Sequence, residues 1–251
     1  MNVAGLLEGK TAFVTGGAAG LGLAIMTAFA TAGARGIAFD RKPPEHPLPK
    51  GWTFSAGDVR EEASIAAALA GAKKDHGSLD LLVANAGIVP AWRESDSIDF
   101  DEWDEAFAVN ARGVMATIKQ AIPLMKARGG SVIVMASVNA LIGHARQAAY
   151  VASKHAVLGI ARSAAQDLGR YGIRVNALCP GPIATEALLG RLHKRAKDGG
   201  PSEKEIMQRY NQTALGRIAT AEEVANAALF LASDLASGIT GQAITVDAGA
   251  V

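Results

Sequence analysis

Short, unbroken apolar runs alternate along this chain with longer stretches of helical character. The runs are continuous and do not alternate with polar residues, which is typical of strands buried on both faces of a parallel sheet. The predicted strands are Lys10–Thr15, Gly36–Phe39, Trp52–Ser55, Asp80–Ala84, Ser131–Ala136, Arg174–Leu178 and Gln242–Asp247.

Helical stretches separate these runs. The predicted helices are Leu21–Ala32, Glu61–Asp75, Phe100–Met125, Ala149–Tyr171 and Ala221–Ala232, with a charged helical insertion at Leu188–Tyr210. This order predicts an α/β fold, a doubly wound (Rossmann) parallel sheet with helices on both faces. Ligands of such sheets bind at the carboxyl ends of the strands, near the topological switch point.

The length and composition fit one compact unit. The chain has 251 residues with 49% hydrophobic residues, and no linker, repeat or low-complexity segment divides it, so we expect a single domain over 1–251. A net charge of +1 gives no reason to expect a nucleic-acid partner. The single cysteine, Cys179, excludes an intramolecular disulfide and favours a cytoplasmic location. We expect no membrane segment and no metal site.

A glycine-rich turn joins the first predicted strand to the first helix. It contains Gly16, Gly20 and Gly22. Glycines at this point allow a tight turn and a close approach of the backbone to a ligand, and the helix N-terminus presents free N–H groups to a pyrophosphate. The alternative is an ordinary loop softened by glycine. The position of the glycine-rich turn, between the first strand and the first helix, favours dinucleotide binding.

Asp40, at the end of the second predicted strand, indicates which dinucleotide binds. A carboxylate at this place accepts hydrogen bonds from the adenosine ribose hydroxyls and repels a 2′-phosphate, so it favours NAD over NADP. The neighbouring Arg41 keeps NADP open, because a guanidinium pairs with a phosphate. Asp40 could also be a solvated loop carboxylate.

Four polar residues predict a site that handles a proton. Tyr150 and Lys154 stand four apart at the start of a helix, and therefore share one helix face. A nearby ammonium lowers the pKa of a phenol, which makes Tyr150 a usable acid or base. Ser137 ends the preceding strand, and Asn110 lies inside a predicted helix, where Asn is not favoured. Each residue alone has an ordinary structural explanation; together, behind a dinucleotide turn, they indicate catalysis.

At this point the chain resembles the short-chain dehydrogenase/reductase family over nearly its whole length. Thr15–Gly22 is similar to the family's cofactor turn TGxxxGxG, and Asn110, Ser137, Tyr150 and Lys154 match its catalytic tetrad. The resemblance implies that these residues contact the cofactor: Gly16, Ala19, Gly20, Leu21, Gly22, Asp40, Arg41, Asp58, Val59, Asn85, Ala86, Gly87, Tyr150, Lys154, Pro180, Gly181, Ile183 and Thr185.

The resemblance also implies a mechanism and an assembly. Tyr150 exchanges a proton with the substrate oxygen, Ser137 steadies that oxygen, and Lys154 lowers the pKa of Tyr150 and binds the nicotinamide ribose. Asn110 positions a water that links Lys154 to solvent. The chain is expected to form a homotetramer.

One segment departs from the family pattern. Residues 42–49 contain four prolines where the family usually has a helix, so we predict a loop crossover and a more open adenine pocket. The smaller departures are Ala84, where a first Asn is more usual, and Ala248, where Gly is common.

Three segments are expected to wall the substrate pocket: Ile88–Asp96, Val138–Gln147 and Ala187–Tyr210. The candidate substrate residues are Trp92, Arg93, Asn139, His144, Arg146 and Gln147, with Arg93 and Arg146 as contacts for an anion. Arg191, His193, Lys194, Arg195 and Lys197 form a basic run that is either a solvated helix face or a lid attracting an anionic substrate. The polar lining favours a sugar, polyol or hydroxy acid.

Two other functions remain open. One is an NADPH-dependent reductase of a 3-oxo or diketone substrate, which cofactor preference and reaction direction distinguish. The other is a catalytically silent relative that only binds the cofactor. That alternative predicts damage in the tetrad or the glycine turn, and both are intact.

Overall fold

The computed structural model describes residue 3, residues 5–197 and residues 199–251. Its centre is a seven-stranded sheet in the order β3-β2-β1-β4-β5-β6-β7, and each neighbouring pair is parallel. The strands are β1 (Thr11–Thr15), β2 (Arg35–Asp40), β3 (Trp52–Ala56), β4 (Leu81–Ala84), β5 (Gly130–Met135), β6 (Ile173–Pro180) and β7 (Ala243–Val246). The predicted doubly wound fold is confirmed.

Helices cover both faces of this sheet. They are α1 (Gly20–Thr31), α2 (Glu62–His76), α3 (Phe100–Phe107), α4 (Gly113–Met125), α5 (Ala148–Leu168), α6 (Glu186–Lys197), α7 (Glu203–Tyr210) and α8 (Ala221–Ala232). The strand order turns back between β1 and β4, which places a crevice at their carboxyl ends.

Burial on both faces explains why the strands are unbroken apolar runs. In β1, Phe13 faces a core shared with α2, α4 and α5, whereas its neighbour Val14 faces a second core shared with α1 and α8. Val132 and Ile133 of β5 divide between the two cores in the same way. Because successive side chains point to opposite faces, a strand covered on both sides has no position for a solvated residue.

The structure corrects two of the predicted helices. The helix predicted at Phe100–Met125 is interrupted by a π-helical turn at Ala108–Arg112, which holds Asn110. The insertion predicted at Leu188–Tyr210 is two helices, because Gly199 has a φ of 85° and Pro201 prevents the helix from continuing. Ser202 then starts α7 with a capping box to Glu205.

The predicted loop crossover at the proline-rich segment is confirmed, and the more open adenine pocket stays a prediction. Residues 42–49 contain neither helix nor strand, and they connect β2 to β3 as a loop.

Within the described residues, no helix has the length and apolar character needed to cross a membrane. The same part of the chain contains no group of three His, Cys, Asp or Glu side chains placed to hold a metal.

Candidate active site

The glycine turn has the backbone that a dinucleotide needs. Gly16 and Gly20 have φ angles of 64° and 54°, in the region that favours glycine. A Cβ on Gly22 would collide with the carbonyl oxygen of Gly16, whereas a Cβ on Gly20 would meet nothing within 4 Å. At Gly22 the turn therefore packs against protein backbone, whereas at Gly20 there is free space for a ligand.

The N-terminus of α1 has free hydrogen-bond donors. Its N-cap residue, Ala19, has no side chain that can cap the helix, and its first turn contains no acidic residue. The N–H groups and the positive end of the helix dipole are thus left for an anionic ligand. Together with the open space at Gly20, this arrangement fits the pyrophosphate of a nicotinamide dinucleotide.

A groove runs from the glycine turn across the carboxyl ends of the strands, and we call it the cofactor groove. Two acidic residues, Asp40 and Asp58, border it. Asp40 accepts hydrogen bonds from the backbone N–H groups of Ala18 (3.2 Å) and Arg41 (2.7 Å), which fix its carboxylate at the end of β2. Asp58 is bound by Arg60, with 2.6 Å between Arg60 Nη2 and Asp58 Oδ2, and this hydrogen bond lowers the pKa of Asp58. Arg41 Nη1 lies 4.0 Å from the same Asp58 oxygen.

The cofactor groove has a volume of about 760 Å³. The predicted cofactor residues that border it are Gly16, Ala19, Gly20, Leu21, Asp40, Arg41, Asp58, Val59, Asn85, Ala86, Gly87, Tyr150, Lys154, Pro180, Gly181, Ile183 and Thr185. Gly22 does not border the groove, because it is buried against Gly16 and Asn85. Its place in the motif is to pack the turn.

Tyr150 and Lys154 lie on the first turns of α5, and Ser137 follows the end of β5. Tyr150 and Ser137 border both the cofactor groove and a second cavity beyond it. Lys154 Nζ donates a hydrogen bond to the carbonyl of Met135 (2.7 Å) and lies 5.8 Å from the centre of the Tyr150 ring. Burial lowers the pKa of Lys154 to about 8.

The electrostatics of Tyr150 differ from the prediction. Burial raises the pKa of its phenol, and the groups that oppose this rise are the Ser137 hydroxyl and the Arg191 guanidinium. The sequence predicts this role for Lys154, but the Lys154 ammonium is directed at the Met135 carbonyl instead. Arg191 was part of a basic run that the sequence could not divide into facing and solvated residues.

Asn110 is buried in the π-helical turn. Its Oδ1 accepts from the N–H of Ile88 (2.8 Å), and its Nδ2 donates to the Ile88 carbonyl (2.9 Å) and to Ser153 Oγ (3.0 Å). A Cβ on Gly87 would lie 3.2 Å from Asn110 Oδ1 and 3.5 Å from Lys154 Nζ. Asn110 therefore fixes the segment after β4 against α5, beside Lys154.

The second cavity has a volume of about 880 Å³ and begins at Tyr150 and Ser137. Among the candidate substrate residues, those that border it are Trp92, Asn139, His144, Arg146 and Gln147. Arg93 does not border this cavity, because its guanidinium makes two hydrogen bonds of 2.8 Å to Glu102. Arg146 is paired with Glu94.

The two arginines chosen from the sequence as anion contacts are thus bound to carboxylates. Residues on α6 and α7 also border the cavity, among them Arg191, Arg195 and Tyr210. Helical spacing carries a partial signal for them, since Arg191 and Arg195 lie three residues after Leu188 and Leu192, which are buried. The sequence does not show where these helices lie relative to Tyr150.

Comparison with known proteins agrees with this architecture. A family profile described as enoyl-(acyl carrier protein) reductase matches residues 16–251. The trans-4-hydroxycyclohexanecarboxylate dehydrogenase of Sinomonas cyclohexanicum is 34% identical over 192 residues, covering 76% of this chain and 68% of that protein.

Solved structures show the same likeness. The carveol dehydrogenase of Mycobacterium avium in complex with NAD is 30% identical, with a TM-score of 0.88 and coverage of 98% of this chain and 99% of that one. The aldohexose dehydrogenase of Thermoplasma acidophilum is 33% identical, with a TM-score of 0.89 and coverage of 98% and 95%.

The chain belongs to the short-chain dehydrogenase/reductase family. It is an oxidoreductase of the class that interconverts alcohols and carbonyl compounds, and its fold binds a nicotinamide cofactor.

Proposed function

We propose that this protein is an NAD-dependent dehydrogenase that interconverts a secondary alcohol and its carbonyl, with Tyr150 as acid and base. The observation that carries the proposal is the position of Tyr150, whose side chain borders both the cofactor groove and the second cavity. A group that exchanges a proton with the substrate has to stand where cofactor and substrate meet.

The roles of the neighbouring residues follow from their contacts. Tyr150 accepts the proton of the alcohol, or donates one to the carbonyl oxygen, and Ser137 donates a hydrogen bond to the same oxygen. In this proposal Lys154, whose Nζ donates to the Met135 carbonyl, binds the nicotinamide ribose, and Asn110 positions the segment around it. A bound nicotinamide supplies or accepts the hydride.

Asp40 supports NAD as the cofactor. Its carboxylate is fixed by two backbone N–H groups at the groove, where it would repel a 2′-phosphate. Arg41, the residue that favours NADP, lies beside the Asp58 carboxylate, which competes with a phosphate for it. A related structure contains NAD.

The substrate is proposed to be a hydroxy acid, sugar or polyol. Polar side chains of Asn139, His144 and Gln147 border the cavity next to Ser137. Related proteins are described as dehydrogenases of a hydroxycyclohexanecarboxylate and of an aldohexose, which belong to the same classes.

We also propose a single domain, a homotetramer and a cytoplasmic location. The one sheet draws its strands from residues 11 to 246, which supports a single domain. Phe100 is 71% exposed and Met115 is 43% exposed, on α3 and α4, and these apolar side chains support assembly through that face. The only cysteine, Cys179, is a buried thiol.

A substrate screen tests the proposed reaction. Initial rates of reduced-cofactor formation would be measured for hydroxy acids, sugars and polyols, with NAD and with NADP in parallel. We expect turnover of at least one class and a higher kcat/KM for NAD. Asp40→Ser should narrow the ratio between the cofactors by about tenfold, the effect of one charge-assisted contact. A wild-type preference for NADP would refute the cofactor assignment.

The pH dependence tests Tyr150 as the acid and base. Because its pKa is raised, the phenol is protonated at neutral pH. The groups facing it are Ser137, Arg191 and Lys154. We expect kcat/KM for alcohol oxidation to rise through the alkaline range as the phenolate forms, and kcat/KM for carbonyl reduction to fall there. Parallel profiles in both directions would contradict this role.

A further inference from the structure

The second cavity is strongly cationic on one side. Its charged lining residues are Arg146, Arg191, Lys194, Arg195, Arg209 and, as the acidic one, Glu102. Glu102 is paired with Arg93, and Arg146 with Glu94. Within the described part of the chain, no carboxylate, including that of Val251, lies within 4.0 Å of the other four cations. The cavity thus contains positive charge that the described carboxylates do not neutralise.

Arg191 has a special position among these four cations. Among the described residues it is the one cation that borders both the second cavity and the cofactor groove, and Tyr150 borders the same two spaces. The two side chains interact electrostatically, since Arg191 opposes the rise in the pKa of Tyr150. The Arg191 charge and the Tyr150 phenol therefore border the same space, in which the substrate proton would be exchanged.

The surrounding contacts hold the part of α6 that carries Arg191. Leu188 and Leu192 on α6 are buried with Ile206 of α7, so this face of α6 is directed into the protein. One turn further on, the Arg195 guanidinium lies 3.9 Å from the centre of the Trp92 ring, which fastens α6 across the cavity. Arg191 lies between these two attachments, and its side chain is accessible to solvent.

We infer that Arg191 binds a carboxylate of the substrate, so that the preferred substrates are hydroxy carboxylates. This inference rests on the proposed function of the same site. A guanidinium matches a carboxylate with two parallel hydrogen bonds, and it keeps its charge at every physiological pH. With one end of the substrate held by Arg191 and the hydroxyl between Tyr150 and Ser137, the carbinol carbon is oriented toward the cofactor groove.

Matched pairs of substrates test this inference. Hydroxy carboxylates of increasing chain length would each be compared with the corresponding primary amide, in the wild type and in Arg191→Met. In the wild type, we expect a lower KM for the acid of at least one pair. In Arg191→Met, the KM of that acid should rise by about ten- to a hundredfold, the loss of a hydrogen-bonded charge pair, and the KM of its amide by less than about twofold.

Two further variants control for charge and folding. Lys197→Met removes a positive charge from the same helix at a residue that does not border the cavity, and it should leave every KM unchanged. Arg191→Lys keeps the charge and loses the paired donors. Its KM for the acid should therefore lie between that of the wild type and that of Arg191→Met. Arg191→Lys also covers the case in which Arg191→Met does not fold.

Other outcomes overturn the inference in distinguishable ways. If the wild type oxidises every amide with the same KM as its acid, the carboxylate site is wrong while the proposed dehydrogenase function stands. If Arg191→Met raises the Kd of NAD and the KM values of acid and amide equally, Arg191 serves the cofactor and not the substrate. If no secondary alcohol is oxidised with either cofactor, the proposed function itself fails.

Discussion

Tyr150→Phe is expected to lower kcat by about 10²- to 10⁴-fold in both reaction directions while leaving the Kd of NADH nearly unchanged. The substitution removes one oxygen and keeps the aromatic ring, so the packing at the start of α5 is retained. The remaining contacts of the groove, including the glycine turn and Asp40, are untouched. Steady-state rates and a fluorescence titration with NADH measure the two quantities separately.

Tyr171→Phe is the matched control for this substitution. Tyr171 follows the far end of α5, beside Lys126 and Arg170, and borders neither cavity. It should retain wild-type turnover. Full activity of Tyr150→Phe would remove Tyr150 from the proton transfer, and a parallel loss of NADH binding would assign it to the cofactor alone.

Gly22→Ala is expected to abolish measurable NADH binding and to destabilise the fold. The added methyl group would collide with the Gly16 carbonyl oxygen, which is backbone and cannot rotate away. The turn has to shift, and overpacking of this kind lowers the free energy of unfolding by about 1–3 kcal/mol. Denaturant unfolding measures the stability change, and the NADH titration measures the binding.

Gly71→Ala provides the comparison. Gly71 lies within α2, and a Cβ there would meet nothing within 4 Å. Because alanine is a better helix former, this variant should be more stable by about 0.5–1 kcal/mol and should bind NAD normally. If Gly22→Ala behaved like Gly71→Ala, cofactor binding would not depend on the close packing of the turn.

Local patterns were sufficient to predict most of the fold. Val132 and Ile133 are both apolar because helices cover both faces of β5. Burial on both faces therefore appears in the sequence as a continuous apolar run. The glycine turn was equally readable, since the backbone angles at Gly16 and Gly20 exclude most other residues. The prolines of residues 42–49 likewise excluded a helix by their chemistry alone.

The prediction of one continuous helix over Phe100–Met125 failed because a local irregularity there depends on distant partners. Helical periodicity continues through Ala108–Arg112, but Asn110 there bonds to Ile88 and to Ser153 on other segments. Those partners are far away in the sequence, so no local pattern reveals the π-helical turn. Asn110 was recognised as unusual, and its contacts became known only from the structure.

The substrate side of the site shows the same division more sharply. From the sequence, Arg93 and Arg146 were the candidate contacts for an anion, and Arg191 belonged to a basic run that was either a solvated helix face or a lid. The structure pairs the first two with Glu102 and Glu94 and leaves Arg191 beside Tyr150. Charge type is a property of the residue, but its neutralisation depends on which acid the fold places next to it.

The sequence by itself determined the strands, the glycine turn and the pairing of Tyr150 with Lys154 on one helix face, because each depends on spacing within one strand, turn or helix. That Asn110 and Ser137 join this pair is what the family resemblance implied. Tertiary structure decided that Lys154 faces the Met135 carbonyl and that Arg191 borders the same two cavities as Tyr150. These relations join α5 to β5 and to α6, and separations across elements are set by packing, which no local spacing encodes.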